Sequence, residues 1–112
     1  MLHVRFEQSG AALLVTPLAP RLDAATAAGL VAVVRDHVRG RPLVVVSLAH
    51  VVAMDASGIA ALVAVHRLMP PGGELRLAHA RPAIRALLEA TSLDALFPAF
   101  EDAAAALRAP SR

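Results

Sequence analysis

The amino-acid sequence predicts a single α/β domain whose mixed, mostly parallel sheet is entered through a β-hairpin and covered by packed helices. The length of 112 residues is that of one ordinary domain. Two short strand-like segments come first, separated by the turn signal Ser9-Gly10. Beyond them strand-like and helical patterns alternate, and this order implies crossover connections between parallel strands.

The hairpin is predicted from residues 3–8 and 12–16. In the first segment Val4 and Phe6 alternate with polar residues, which is typical of a half-buried strand. The second segment is apolar and follows the turn directly. Residues 17–20, which begin and end with proline, are predicted to form a loop.

A helix is predicted over residues 24–38, followed by a central strand. Asp23 stands where an N-cap residue belongs, and Leu30, Val34 and Val38 recur every four residues along one face. Residues 43–48 then form a near-continuous apolar run, which is expected of a parallel strand buried on both faces.

The second half of the chain continues the alternation. A second helix is expected from about Ser57 to Leu68, because its apolar residues share one stripe and prolines and glycines follow it. The remaining predicted elements are a strand at 74–78, a helix beginning at Pro82, a short strand at 99–100 and a helix over 101–107. The domain is therefore assigned to residues 1–108, and residues 109–112 are expected to fray.

The charge distribution argues against a nucleic-acid-binding protein. All 11 basic residues are arginines dispersed from Arg5 to Arg112, and the formal net charge is only +2. With 3% aromatic residues, the chain lacks the basic patch with interleaved aromatics that nucleic-acid binding favours. The absence of cysteine excludes disulfides and thiolate metal sites, and it fits a reducing compartment.

Membrane insertion is not expected either. Residues 42–65 carry one formal charge, at Asp55, and resemble a membrane span in hydropathy alone. However, an aspartate near the centre of a membrane helix costs about 2.5–3.5 kcal/mol, and the segment divides into a strand-like and a helical half. The first residues also lack a signal-peptide pattern. We expect a soluble, cytoplasmic protein that is monomeric when free.

The residues most suggestive of function lie between the central strand and the second helix, at 51–59. The N–H groups at a helix start are unpaired and carry partial positive charge. Ser57 could cap this helix, or it could accept a phosphate that the helix start would favour. Asp55 could itself close the turn or cap the helix, and Gly58 leaves the approach to Ser57 open.

Other kinds of site find little support. The five histidines show no metal-binding spacing, and His66 on an apolar stripe is expected to be structural. Ser57 lacks the first glycine of a Gly-x-Ser-x-Gly nucleophile elbow, because Asp55 occupies that place. No phosphate-binding glycine loop is present. We expect no enzyme activity, cofactor or metal.

Segment 51–59 resembles the signature of STAS domains, in which a strand and a short loop lead to Asp-Ser-Ser-Gly-Leu or a close variant. Residues 22–26 resemble the family's Leu-Asp-Ala-x-Thr helix start, and residues 71–75 its Gly-Gly-x-Leu turn. Residues 87–97 are similar to Leu-x-x-x-Gly-Leu-Asp-x-Leu-Phe. The likeness runs from about residue 3 to residue 107, and within the family it points to the anti-sigma factor antagonists.

The resemblance implies a partner-switching regulator. In such antagonists the serine aligned with Ser57 is phosphorylated by an anti-sigma factor that is itself a serine kinase, and the unphosphorylated form binds that kinase and releases the sigma factor. Asp55 and Asp23 match acidic residues near the kinase-binding surface, although Asp23 as a plain N-cap stays an alternative. Ala56 and Gly58 flank the acceptor and are expected at the same surface. A phosphatase would reverse the switch.

Three positions depart from the family pattern. Ala56 replaces the usual serine neighbour, which leaves one hydroxyl as the candidate acceptor. Ser47 stands where many relatives have aspartate at the end of the preceding strand, and Pro20-Arg21 precedes Leu22 where glycine is common. Similar domains also serve in lipid-transport (ABC-type) complexes and sensor assemblies, where the serine is not phosphorylated, and this role is the alternative function.

Overall fold

A computed structural model describes residues 2–111 of the chain. Its seven strands are β1 (Val4–Ser9), β2 (Ala12–Pro17), β3 (Arg21–Leu22), β4 (Leu43–Ser47), β5 (Ala53–Met54), β6 (Glu74–Ala78) and β7 (Ala99–Phe100). Its four helices are α1 (Ala27–Val38), α2 (Ala56–Arg67), α3 (Pro82–Ala90) and α4 (Ala103–Arg108). The fold is the expected α/β domain.

Five of the strands form one sheet in the order β1-β2-β4-β6-β7. The β1–β2 pair is antiparallel, and the β2–β4, β4–β6 and β6–β7 pairs are parallel. The predicted hairpin entry, parallel sheet and short strand at 99–100 are therefore confirmed. The separate two-stranded parallel sheet of β3 and β5 was not predicted.

The sheet is apolar on both faces. Val44 and Val46 pack into a large core with α1, α2 and α3, while Val45 belongs to a smaller cluster with α4 on the other face. All three valines are at most 2% exposed, which confirms the predicted strand buried on both faces. Leu30, Val34 and Val38 form the core stripe of α1, as their spacing predicted.

Helix α1 begins later than predicted. Asp23 is not its N-cap, because residues 23–26 form a turn in which the Asp23 carbonyl accepts from the N–H groups of Thr26 and Ala27, and the helix starts at Ala27. The loop therefore keeps Asp23 outside the helix, and the acidic side chain is left partly exposed.

The chain end is held more closely than predicted. The carbonyls of Ala109 and Pro110, expected to fray, both accept hydrogen bonds from the Arg76 guanidinium. Arg112, the last residue of that predicted tail, and Met1 lie outside the described residues. Within the part of the chain that is described, no helix has the length and apolar character needed to cross a membrane.

Candidate functional site

Ser57 is the second residue of α2, directly after the short strand β5. Its side chain is half-buried, whereas Asp55 and Ala56 before it are exposed. Among the described residues, none forms a hydrogen bond with the Ser57 hydroxyl. The hydroxyl is thus free to react or to bind a partner.

Asp55, and not Ser57, is the N-cap of α2. Its Oδ1 accepts hydrogen bonds from the N–H of Ser57 at 2.8 Å and of Gly58 at 3.3 Å. The backbone of Asp55 is extended, with φ −118° and ψ −168°, as an N-cap residue requires. The capping role left open for Asp55 is confirmed, and the same role for Ser57 is wrong because the helix starts one residue before it.

The cap changes the electrostatics expected at Ser57. The N–H groups of Ser57 and Gly58 would have been natural donors to a phosphate at the helix start, but both already donate to Asp55. A phosphate on Ser57 would therefore meet a carboxylate there, and it could use these two N–H groups only by displacing it.

Gly58 does not leave an open approach to Ser57. It is buried, and a Cβ built on it would clash with the Leu22 carbonyl oxygen and lie 2.6 Å from Cγ of Met54. The missing side chain makes room for β3 and β5 to pack against the start of α2. Gly58 therefore allows close packing beneath the site and has no exposed surface for a partner to contact.

The small β3–β5 sheet holds Asp55 in place. The Pro20 carbonyl accepts from the N–H groups of Val52 and Ala53, and the Leu22 carbonyl accepts from the Asp55 N–H. The unusual Pro20 thus lies in the backbone hydrogen-bonding network that aligns the strand before α2. Ser47, the other departure, is buried at the end of β4 and does not belong to the exposed surface.

Thr26 organises the loop that carries Asp23. Its hydroxyl donates to the Arg21 carbonyl at 2.9 Å and accepts from the Asp23 N–H at 3.1 Å. The Asp23 carboxylate in turn accepts from the Ala25 N–H at 3.0 Å. Sequence reasoning missed this role, although a threonine three residues after an aspartate at a helix start is a recognisable signal.

The structure brings the two predicted acidic residues together. Asp23 and Asp55 line a cavity of about 130 Å³ with Arg21, Ala53 and Met54. A separate, shallow groove of about 220 Å³ runs between α1 and α2. Ser57 lies in this groove among small apolar side chains, namely Ala27, Ala28, Val31, Ala60, Ala61 and Ala64.

Replacing the cap should distinguish its charge from its hydrogen bonds. We expect Asp55→Ala to lower the free energy of unfolding by about 1 kcal/mol, because two N–H groups lose their acceptor. Asp55→Asn should lose much less, since asparagine caps nearly as well. Ser57→Ala should lower the free energy of unfolding by less than Asp55→Ala does, because Ser57 is not the N-cap.

Urea unfolding of the three variants measures these differences. Equal losses for Asp55→Ala and Asp55→Asn would show that the charge, and not the cap, stabilises α2.

The sequence matches the STAS domain family over residues 3–106. A search of curated proteins returned no significant sequence match. The structure of a STAS-domain anti-sigma factor antagonist from Planctomyces limnophilus superposes with a TM-score of 0.85 at 20% identity, covering 96% of each chain.

Two further structures share the fold. An anti-sigma factor antagonist from Mycobacterium paratuberculosis gives a TM-score of 0.77 at 22% identity, covering 96% of this chain and 92% of that one. The phosphorylated form of the Bacillus cell fate determinant SpoIIAA gives 0.63 at 16% identity, covering 95% and 98%. Because the family match spans nearly the whole sequence, the chain belongs to the STAS domain family.

Proposed function

We propose that this protein is an anti-sigma factor antagonist that binds an anti-sigma factor serine kinase and is switched by phosphorylation of Ser57. The observation that supports it most is the free Ser57 hydroxyl at the start of α2, next to two exposed residues. The fold shared with anti-sigma factor antagonists, one of them solved in a phosphorylated form, agrees with this role.

We infer that the partner contacts Asp23, Asp55 and Ala56 around the acceptor. Both aspartates line one cavity, and Val52 nearby in sequence is 55% exposed. A partner suited to this surface would present basic groups to the carboxylates and an apolar group to Val52. Gly58 is left out of this surface because it is buried.

The same proposal covers where the protein acts, its oligomeric state and how phosphorylation is reversed. The protein acts as a cytoplasmic binding regulator and not as an enzyme, it is monomeric when free, and a phosphatase returns it to the binding form. Phosphorylation adds about −1.5 to −2 charges beside the Asp55 carboxylate, which changes the surface that the kinase recognises.

Capture from native cells tests the partner and the acceptor together. The tagged protein should retain an anti-sigma factor kinase, and incubation with that kinase and ATP should label Ser57 and leave Ser57→Ala unlabelled. No arginine or lysine lies between Ser47 and Ser57, so one tryptic peptide carries both serines. Fragment spectra must therefore separate these two serines, of which Ser47 is buried.

Two outcomes would contradict the proposal. Label on Ser9, Ser47, Ser92 or Ser111 would refute the residue assignment. Capture of an ABC-type ATPase or permease without any label would favour the alternative role in a transport complex.

A further inference from the structure

Arg76 is a buried cation that lies on a different element from Ser57. It lies in the middle of β6 with its side chain on the face opposite Leu75 and Leu77, and it is only 2% exposed. Burying a guanidinium is unfavourable unless its N–H groups find acceptors. The acceptors that bind the Arg76 guanidinium therefore indicate its structural role.

Those partners are mostly backbone atoms near the chain end. Nη1 donates to the carbonyls of Ala106 and Ala109 at 2.7 Å each, and Nη2 donates to the Pro110 carbonyl at 3.0 Å. Glu74 supplies the only carboxylate contact among these partners, with Oε2 at 2.8 Å from Nη2 and 3.0 Å from Nε. The guanidinium thus joins the sheet to three carbonyls of one short segment.

The segment needs such a contact. Helix α4 has six residues, of which Ala106 alone is buried. A helix this short is unstable by itself, and its last carbonyls lack partners within the helix. Asp102 caps the first turn through the Ala105 N–H at 2.7 Å, whereas Arg76 supplies the donors at the other end.

The segment also covers apolar surface. Val45 and Ala78 are fully buried beneath α4, in a cluster that is separate from the large core under α1, α2 and α3. Phe100 borders this cluster, with its ring centre 5.8 Å from Cζ of Arg76. Because the two clusters lie on opposite faces of the sheet, one can open while the other stays packed.

We propose that residues 102–110 form a strap over the face of the sheet opposite the large core, and that this strap opens as one unit. Arg76 is the clasp that holds the strap closed. On opening, Arg76 keeps its ion pair with Glu74 while water replaces the three carbonyls. Opening exposes the apolar face around Val45 and Ala78. This device does not depend on the function proposed for Ser57.

Hydrogen exchange of the full chain over a series of low urea concentrations tests the unit. The amides of Ala106 and Ala109, bonded to the carbonyls of Asp102 and Ala105, should share one opening equilibrium and one urea dependence. Both should exchange faster than the amides of Leu77 and Ile59. Different urea dependences for the two strap amides would indicate independent fraying, and exchange as slow as at Leu77 would indicate no separate opening.

Variants test the clasp. Arg76→Met should speed exchange at Ala106 and Ala109 by about tenfold or more, as expected when hydrogen bonds from a charged donor are lost, and should leave Ile59 nearly unchanged. Arg76→Lys, which keeps the charge, should have a smaller effect. Arg5→Met, at an exposed strand arginine, is the matched control and should leave the strap unchanged.

Proteolysis gives an independent readout. Arg108 is exposed but is the last residue of α4, so we expect trypsin to cleave the following bond only when the strap is released. Cleavage there should accelerate in Arg76→Met and Arg76→Lys and not in Arg5→Met. The clasp is refuted if strap and Ile59 amides accelerate together in Arg76→Lys, or if neither variant changes the strap.

Discussion

Gly58→Ala is expected to destabilise the domain by about 1–3 kcal/mol, the usual range for forcing extra atoms into a packed site. The added Cβ would clash with the Leu22 carbonyl oxygen. That oxygen belongs to β3 and accepts from the Asp55 N–H, so it cannot move without disturbing the strand that positions the cap. The change should therefore also weaken binding of the partner proposed above.

Gly29→Ala is the matched control, because it also introduces a methyl group at a helical glycine. Its Cβ would meet Leu2 side-chain atoms no closer than 3.7 Å, which is ordinary van der Waals contact. Alanine is favoured over glycine inside a helix by about 0.5–1 kcal/mol, so this variant should be stabilised. Urea unfolding of the two variants measures their free energies of unfolding. If these change in the same direction in both variants, the packing argument at Gly58 is refuted.

The main elements could be predicted because their patterns are dominated by burial. The apolar run at 43–48 has to be a strand covered on both faces, and α1 repeats its core residues every four positions. Pro82 occupies the first turn of α3, as its fixed φ predicts. The spacing of hydrophobic residues and the positions of helix-breaking residues were sufficient to predict these elements.

The details of the site depended on contacts that a linear pattern does not contain. The β3 and β5 strands have two residues each, too few for any periodicity, and they are defined by pairing with each other. Both Asp55 and Ser57 are good N-cap residues, so composition could not choose between them. The reason for a glycine at position 58 became clear only when Leu22 and Met54 were found packed against it.

The same limit applies to Arg76. Alternation in β6 places Leu75 and Leu77 in the large core and Arg76 on the other face, where an arginine would ordinarily be exposed to solvent. Its burial results from its contact with α4, whose Ala106 lies 30 residues later in the sequence, and no local signal in residues 74–78 reports that contact.

Ser57→Asp is expected to weaken binding to the proposed anti-sigma factor partner by about 100-fold or more, because Ser57 lies in an apolar groove apart from the cavity of Asp23 and Asp55, and an unpaired charge buried there costs several kcal/mol. Asparagine is nearly the same size as aspartate but carries no charge, so we expect Ser57→Asn to reduce the affinity by less than about tenfold. Ser57→Ala should bind like the parent. Titration calorimetry with the captured partner measures all three.

The stability of these variants separates a local effect from unfolding. Near the start of α2 a new carboxylate is attracted by the helix dipole and repelled by Asp55, whose Oδ1 is 2.8 Å from the Ser57 nitrogen. Since these effects oppose each other, Ser57→Asp should stay within about 1 kcal/mol of the parent. Adding Asp55→Asn removes the repulsion, so the double variant should be at least as stable as Ser57→Asp.

The combination of the two measurements tests the mechanism. A local switch requires that Ser57→Asp lose binding while remaining folded, and that the double variant with Asp55→Asn be at least as stable as Ser57→Asp without regaining the affinity of the parent. If Ser57→Asp bound like the parent, charge at this position would not control the partner. If it lost affinity only in proportion to the fraction unfolded, the charge would act through the fold of α2 and not at the surface formed by Asp23, Asp55 and Ala56.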